Sequence, residues 1–333
     1  MHRRITIHGD GIAACCCAQL LGQHRYEVSW AEAARRTGPT LLINRSTQAL
    51  LTDVFPHSQD LFSDLPVIRK RIVLWGNEPE AKVFPHAGVV ISENVLIERL
   101  RVGMPVHSSF FSDEADWSIY SLFGASHGDQ QHFGSRMANA VPVRLKTRES
   151  DACWIESLDS GWLFLLPNGG GEGSLLAIGG PLAMLFEESR LIAGEIEEIA
   201  GLERQFAAYP RILDPLCGAG WMACGGAAMS FDPICGEGSG NAVREAILAS
   251  AVVRLAASAG NAGDGLAHYS SRLLAGFLRH LDICMHFYAA GARSDWWDSE
   301  AAALRSGIDW TRRKLSCLPQ PRYRLVGFGL EPC

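Results

Sequence analysis

The sequence lacks the features that mark nucleic-acid-binding, membrane and secreted proteins. The 333-residue chain carries a net charge of −6 and contains no long basic run, so a nucleic-acid partner is not expected. No apolar run approaches the roughly 18 residues needed to cross a bilayer. Ile5-Thr6-Ile7 runs directly into a glycine turn, which leaves no room for the apolar region of a secretory signal. These absences predict a cytoplasmic chain with no membrane partner.

The ten cysteines do not form a recognisable disulfide or metal-binding pattern. There is no C-x-x-C spacing, and three cysteines are consecutive at Cys15, Cys16 and Cys17. A disulfide framework is therefore not predicted, and a reduced compartment is the natural interpretation. His280 and His286 are six residues apart, which places them on different faces of a helix, so no metal site is predicted.

What is present begins with a strand, a glycine turn and a helix at the N-terminus. Residues 5–8 read as a strand, residues 9–14 form a G-x-G-x-x-A turn, and residues 15–22 read as a helix. A second strand follows over residues 26–30, and Glu32 lies 18 positions after Ala14. This register is that of a dinucleotide-binding unit, in which an acid about 20 residues on binds the adenosine ribose. The predicted contacts are Gly9, Gly11, Ile12, Ala13, Ala14 and Glu32; the alternative is a turn that only packs a helix on a sheet.

A second glycine-rich stretch covers residues 221–246. It reads as a buried strand, Gly225-Gly226, an irregular connection with Asp232-Pro233, and a helix over residues 241–259 that follows three alternate glycines. Backbone N–H groups and a helix N-terminus converge there, which suits an anionic ligand edge. An ordinary tight connection is the alternative.

This second stretch resembles the second FAD fingerprint of flavoprotein aromatic monooxygenases and flavin-dependent halogenases. The matching residues are Gly225-Gly226-Ala227-Ala228, Asp232-Pro233, Gly236-Glu237-Gly238 and Asn241-Ala242. The resemblance implies an α/β fold, with a Rossmann-type FAD-binding domain of the glutathione-reductase kind, an interleaved antiparallel β-sheet substrate domain and C-terminal helices. It implies FAD contacts at Gly226, Asp232, Pro233, Gly236, Gly238, Ser239, Gly240 and Asn241. Gly226 stands where the family has the Asp that contacts the ribityl chain, so recognition by that carboxylate is absent.

A second departure concerns the phosphate-binding arginine of aromatic hydroxylases. Their R-x-x-L-x-x-x-L pattern reads Glu93-x-x-Leu96-x-x-x-Leu100 in this chain. Arg45 and Arg99 are the basic residues predicted to contact FAD; for Arg45, a solvated loop position is the alternative. The runs PTLLINRSTQALLTDVF and PHAGVVISENVLIERL resemble a narrower group, the flavoproteins that mature the quinone cofactor of tryptophylquinone amine oxidases and dehydrogenases.

A third departure concerns halogenases. Residues 161–167 resemble their W-x-W-x-I-P signature, but Phe164 replaces the second Trp and Leu166 the Ile. Halogenases also use a lysine to carry hypohalous acid, and neither Lys82 nor Lys146 lies in a supporting context. Halogenase activity is therefore not predicted.

The resemblance implies an FAD-dependent monooxygenase that hydroxylates a tryptophan side chain in a partner protein, the precursor of a quinoprotein subunit. Electrons would come from NAD(P)H or a reductase. His86 and Glu237 are the candidate catalytic residues, although a structural role for His86 is the stronger interpretation. Trp296 and Trp297 are expected near a docking surface or at the end of a helix pair. The alternatives are a small-molecule aromatic hydroxylase and a non-catalytic flavoprotein chaperone.

The predicted organisation is interleaved. Residues 1–58, 86–103 and 187–262 form the FAD-binding part, residues 59–85 and 104–186 the sheet part, and residues 263–333 the C-terminal helical part. Residues 92–100 are predicted to form a capped helix, Ser46 to cap another, and residues 186–205 to form an acidic helical connector.

Overall fold

A computed structural model describes residues 3–23, 26–31, 40–58, 60–104, 115–122, 127–259 and 262–333. They form two main sheets, two small ones and seven α-helices. The predicted fold class is confirmed as mixed α/β.

The first sheet has five strands in the order β15-β16-β6-β1-β2. These are β1 (Arg3–His8), β2 (Tyr26–Ala31), β6 (Trp117–Tyr120), β15 (Cys217–Gly218) and β16 (Trp221–Ala223). The strands from β16 to β2 are parallel, and β15 pairs with β16 antiparallel. Parallel strands end at one edge of a sheet, so His8, Tyr120 and Ala223 mark its carboxyl edge.

The second sheet has nine strands. Eight follow the order β12-β8-β11-β10-β9-β4-β5-β3, and β13 also pairs with β8. Its strands are β3 (Thr40–Asn44), β4 (Val67–Leu74), β5 (Lys82–Ser92), β8 (Met137–Leu145), β9 (Ala152–Leu158), β10 (Gly161–Gly169), β11 (Glu172–Gly179), β12 (Ile196–Ile199) and β13 (Arg204–Ala207). All pairs are antiparallel except β4 with β9. The small sheets contain β7 (Asp129–His132), β14 (Arg211–Asp214) and β17 (Met229–Ser230), and the hairpin of β18 (Tyr323–Val326) and β19 (Gly329–Pro332).

The helices are α1 (Ile12–Gly22), α2 (Arg45–Val54), α3 (Glu93–Arg101), α4 (Leu182–Glu188), α5 (Gly238–Ala259), α6 (Ala262–Ala289) and α7 (Asp295–Ser316). Helix α1 is buried from Ile12 to Leu21, since its small residues let it lie closely against α5 and the first sheet. The largest core joins this layer to α6 and α7. No helix among the described residues is long and apolar enough to cross a membrane.

One of the local predictions, the Ser92 cap, is confirmed, and two others are wrong. Ser92 caps α3 by accepting the Val95 N–H at 3.3 Å, as predicted. Asn44, and not Ser46, caps α2: it accepts the Thr47 N–H at 2.9 Å, and the Ser46 hydroxyl donates to the same Asn44 oxygen.

Residues 186–205 are not a helical connector. Helix α4 ends at Glu188, and strands β12 and β13 follow. The acidic run IEEI is compatible with an edge strand because Ile196 is buried while its glutamates are exposed. Pairing with β8, which is distant in sequence, decides the strand conformation.

The sheets do not coincide with the predicted boundaries. Strands β3, β12 and β13 lie within the predicted FAD-binding part but join the large sheet, and β6 lies within the predicted sheet part but joins the first sheet. The three-part division remains a prediction.

Candidate functional site

The first glycine turn links β1 to α1 at the carboxyl edge of the first sheet. Gly9 has φ +116°, and a Cβ there would collide with Ser121 Oγ, so only glycine fits. Its N–H donates to the Ala31 carbonyl at 3.1 Å, and its carbonyl accepts from the Trp30 indole N–H. Gly11 is the N-cap of α1 and provides no side-chain cap. The first N–H groups of α1 therefore lack the usual cap, which favours binding of an anion.

The second glycine turn lies directly beside the first. Gly225 has φ +56°, and a Cβ at this position would lie 2.8 Å from Ala13 Cβ. Gly226 is exposed, and among the described residues only the Ser121 carbonyl lies within 4 Å of its Cβ position. The two turns, separated by more than 200 residues in sequence, thus form one glycine-lined edge.

The buried carboxyl group of Glu245 holds the second glycine turn in place by a hydrogen bond. Glu245 lies on the second turn of α5 and accepts the Gly225 N–H at 2.7 Å. Burial raises the pKa of Glu245 to about 8, against a smaller lowering by the Gly225 hydrogen bond. The group is therefore mainly neutral at neutral pH and adds no negative charge where an anion would bind.

The third part of the site is the turn that leads into α5. Asp232 accepts the Ile234 N–H at 2.9 Å and caps a 3-10 turn over Pro233–Cys235. Gly236 follows with φ +62°, and Gly236, Glu237 and Gly238 are all exposed. Ser239 and Asn241 are partly buried in the first turn of α5, and Gly240 is buried, with Thr47 Oγ1 2.6 Å from its Cβ position. The Gly236 and Asn241 N–H groups donate to the Pro233 and Glu237 carbonyls, whereas the exposed main chain of Glu237 and Gly238 is accessible to a ligand.

Asp232 itself belongs to a buried ion network. One oxygen accepts from Arg136 Nε at 2.6 Å and from the Tyr288 hydroxyl at 2.8 Å. Arg136 also pairs with Glu300. Since both Asp232 oxygens already have protein partners, its structural role is established, and contact with a cofactor remains a prediction.

His86 lies in β5 on the large sheet. A Cβ on Gly88 would lie 3.0 Å from His86 Nε2, and this nitrogen is buried without a hydrogen-bond partner among the described residues. Burial, followed by the positive charge of Arg71, lowers the pKa of His86 to about 4. Such a group is neutral at neutral pH and is a weak general base. Arg71 extends to the α5 turn, where its NH2 atom lies 3.5 Å from the Gly236 Cβ position.

Three further residues, Arg99, Arg45 and Glu32, were predicted from the sequence to contact FAD. Arg99 NH1 donates to the Leu61 carbonyl at 2.8 Å and to the Asp60 and Ser63 carbonyls at 3.3 Å, so it holds this loop. Arg45 is exposed at the start of α2. Glu32 lies outside the described residues. Their contacts with FAD remain predictions.

The residues present fit a flavin dinucleotide. The glycine-lined edge admits a flat ligand, the uncapped start of α1 suits a phosphate, and the exposed start of α5 suits an anionic ring edge. His86 Nε2 and Arg71 Nε are buried polar atoms without hydrogen-bond partners in the described chain, and both lie on the strand pair that faces the α5 turn. A polar ligand would satisfy them.

Sequence reasoning missed two groups of residues. The first is Arg136 with Glu300: Arg136 pairs with Asp232, and Glu300 pairs with Arg136, both from distant parts of the chain. The second is Cys235 with His280 and Cys284, whose donor atoms all lie within 4.8 Å of one another. His280 and Cys284 are four residues apart on one face of α6, a spacing readable from the sequence, but Cys235 joins them only through folding.

Trp297 is not a surface residue. It is 2% exposed, and its indole N–H donates to the Leu158 carbonyl at 2.9 Å. It packs against Trp75, Tyr288 and Trp296. The expectation that it lies at a docking surface is wrong, because the indole links α7 to the large sheet; Trp296 is partly exposed.

Compared by sequence, the chain matches no family model and no curated protein. By structure it is similar to flavin-binding proteins. The flavin-dependent halogenase CmlS is 16% identical with a TM-score of 0.74, over 98% of this chain and 74% of that one. The peptidyl tryptophan dihydroxylase QhpG, essential for tryptophylquinone cofactor biogenesis, is 17% identical with a TM-score of 0.73, over 100% and 86%. The myxobacterial chondrochloren halogenase CndH is 14% identical with a TM-score of 0.76, over 94% and 90%. The fold is therefore that of the flavin-dependent halogenases and this dihydroxylase, and the resemblance found in the sequence is confirmed at the level of the fold.

Proposed function

We propose that this chain is an FAD-dependent monooxygenase that hydroxylates a tryptophan side chain of a partner protein, the precursor of a quinoprotein subunit. Electrons would come from NAD(P)H or from a reductase. When bound and reduced, FAD supplies the activation of oxygen. The chain's own part is to hold the cofactor, to exclude water and to orient the substrate.

The observation that carries the proposal is the contact between the two glycine turns. Gly225 packs on Ala13, which brings the start of α1 and the second glycine turn to one edge. Each turn alone is a weak signal, whereas two that meet on a Rossmann sheet form a cradle for a dinucleotide.

The charges around the cradle agree with this function. The exposed start of α5 would offer partial positive charge to the anionic edge of a bound flavin. The protonated Glu245 avoids a competing negative charge. His86 is neutral and has an unpartnered nitrogen, so we assign it to hydrogen bonding with the cofactor or substrate in preference to proton abstraction.

Hydroxylation is favoured over halogenation by the positions of the lysines. The sequence has four. Lys70 pairs with Asp151, Lys82 with Glu78 and Lys314 with Asp214, and Lys146 Nζ donates to the Gly194 carbonyl at 2.7 Å. A lysine that carries hypohalous acid needs a free amine facing the flavin, and each of these amines is already engaged.

A protein substrate is supported by the similarity to QhpG and by the exposure of the α5 turn. A docked protein would itself cover this turn and exclude water. Solvent exclusion then needs no closed pocket in the free enzyme.

The decisive experiment is coexpression of a candidate quinoprotein precursor with and without this chain, followed by peptide mass spectrometry. We expect oxygen added to one tryptophan only when the chain is present. A Gly225→Ala variant, in which a methyl group would disturb the contact between the two glycine turns, is the control for the need for an intact cradle. Turnover of free small aromatics at ordinary enzyme rates, without modification of the protein, would instead favour a small-molecule hydroxylase. Bound flavin with no oxygen transfer to any substrate would favour a chaperone.

A further inference from the structure

Two thiols and an imidazole meet directly behind the turn that faces the cofactor cradle. Cys235 Sγ lies 3.6 Å from Cys284 Sγ, and Cys284 Sγ lies 3.3 Å from His280 Nε2. The proposed hydroxylation uses none of the three.

The two thiols differ in their access to solvent. Cys235 ends the 3-10 turn before Gly236 and is partly exposed. Cys284 is buried on α6. A reagent from solvent therefore reaches Cys235 first, and Cys284 lies behind it.

His280 is held in a form that does not favour a bound metal. The Asp232 backbone N–H donates to His280 Nε2 at 2.9 Å. This nitrogen must carry its lone pair toward that N–H, and the proton of the neutral ring is then on Nδ1. A metal ion would have to displace a buried backbone hydrogen bond to use Nε2.

We propose that Cys235 and Cys284 are a reversible disulfide site that responds to hydroperoxides, with Cys235 as the peroxide-reactive thiolate and Cys284 as the resolving thiol. Only side-chain movement over a short distance is needed to bring the two sulfur atoms together, since they are already in contact. The inference goes beyond the proposed hydroxylation and does not depend on it.

The reaction balances with hydrogen peroxide as the only oxidant. The Cys235 thiolate attacks one peroxide oxygen, the O–O bond breaks, and the departing hydroxide takes a proton to form water, which leaves a sulfenic acid. Cys284 sulfur then attacks the Cys235 sulfur, the S–S bond forms, and the S–O bond breaks. The second hydroxide takes the Cys284 proton, so two thiols lose two electrons to the peroxide and two waters are released. A dithiol reductant reverses the bond by exchange.

The electrostatics agree with this division of roles. The hydrogen bond from Cys284 is the main cause that lowers the pKa of Cys235 to about 6, against burial. Burial raises the pKa of Cys284 well above its ordinary value. A thiolate beside a protonated thiol is the arrangement of reactive dithiols.

A second close pair of cysteines in the same chain can be compared with Cys235 and Cys284. Cys17 and Cys224 also approach each other, at 4.0 Å, but both are completely buried. The hydrogen bond with Cys17, followed by burial, raises the pKa of Cys224 well above its ordinary value. This second pair lacks an accessible member, so we expect it to stay reduced.

The test uses the full-length purified chain with Cys317→Ser and Cys333→Ser, which removes the two exposed thiols. The protein is treated with hydrogen peroxide, alkylated, digested without reductant and mapped by mass spectrometry. We expect one linked peptide pair, Cys235 with Cys284, that disappears after dithiothreitol. The unsubstituted chain should give the same link, so the result does not depend on the stability of any variant.

Single variants then separate the two roles. With Cys284→Ser, peroxide should leave a sulfenic acid at Cys235 that a dione reagent traps. With Cys235→Ser, Cys284 should remain a thiol. The proposal is overturned if Cys284 is oxidised equally well without Cys235, or if Cys17 and Cys224 oxidise first. It is also overturned if the chain retains one equivalent of zinc through dialysis, the zinc is lost on Cys235→Ser, and zinc blocks the peroxide reaction.

Discussion

At the scale of single residues, the most consequential side chain is Arg136. It is completely buried and pairs with Asp232 on the cofactor side and with Glu300 on α7. Glu300 also accepts from the N–H and hydroxyl of Ser135. The network joins the turn before α5 to the C-terminal helices, so the position of the predicted cofactor turn depends on these buried ion pairs.

Glu300→Ala should destabilise the fold by about 3–5 kcal/mol, because the buried Arg136 guanidinium then keeps only one of its two carboxylate partners. Glu198→Ala is the matched control: it breaks the pair with Arg144, where both side chains are 55% exposed, and should cost less than about 1 kcal/mol. Urea unfolding followed by tryptophan fluorescence measures both. Equal, small losses for the two variants would show that the buried network does not stabilise the fold.

Glu245 should make stability depend on pH. Its pKa is raised from 4.5 to about 8 in the folded chain. The neutral carboxyl contributes its full stabilisation below pH 4.5. This contribution is lost as the pH rises through about 8, because the carboxyl ionises at lower pH in the unfolded state than in the folded state. Gln has the same shape and cannot ionise, so Glu245→Gln should become progressively more stable than the parent chain across this range, at about 1.4 kcal/mol per pKa unit of difference. Unfolding free energies measured from mildly acidic to mildly alkaline pH check this; a constant difference between the two proteins would contradict it.

At the scale of elements, the contact between the two glycine turns is the most sensitive to substitution. Gly225→Ala places a methyl group 2.8 Å from Ala13 Cβ at a residue with φ +56°. Strain and steric overlap should cost about 1–3 kcal/mol, and FAD retention after gel filtration should fall.

Gly276→Ala is the control for this prediction. Gly276 lies inside α6, and apart from the helix's own backbone no atom of the described residues lies within 4 Å of its Cβ position. The same substitution there should stabilise the chain by about 0.5–1 kcal/mol, since alanine favours a helix. If both variants keep flavin and stability equally, the two turns do not need their close contact.

Elements defined by local signals could be predicted from the sequence. The βαβ unit at the N-terminus, the Ser92 cap and the helix of α5 depend on residues close together in the chain. The glycine turns could be assigned to one ligand only through the family resemblance.

Elements whose conformation depends on residues distant in the chain could not be predicted from the sequence. Residues 196–199 are a strand because β8 pairs with them, although their charge suggested a helix. Asp232 matched a fingerprint position, but its partner Arg136 lies 96 residues away, and Glu300 pairs with Arg136 from α7, so the sequence did not reveal the ion network. The Cys235 contact with α6 was missed for the same reason.

At the scale of the whole molecule, a cluster of aromatic rings joins the large sheet to the C-terminal helices. Trp162 on β10 donates to the Tyr288 hydroxyl at 3.2 Å, and Trp75 after β4 donates to the Phe287 carbonyl at 3.0 Å. Trp297 packs against Trp75 and Tyr288. The helices are therefore part of the same folded unit as the sheet, and the Tyr288 hydroxyl connects the cluster to Asp232.

The adjacent tryptophans at the start of α7 should separate stability from docking. Trp297→Ala removes a buried indole and its bond to the Leu158 carbonyl, so it should lower the unfolding free energy by about 3–5 kcal/mol. Trp296 is partly exposed and donates no comparable bond among the described contacts, so Trp296→Ala should cost less. If α7 contributes to the docking of a protein substrate, Trp296→Ala should weaken partner binding by about 2 kcal/mol while the fold remains intact. Thermal unfolding and titration calorimetry with the candidate precursor measure the two effects independently. Unchanged affinity in Trp296→Ala would exclude this residue as an anchor, and a small stability loss in Trp297→Ala would mean that α7 can detach from the sheet without unfolding the rest.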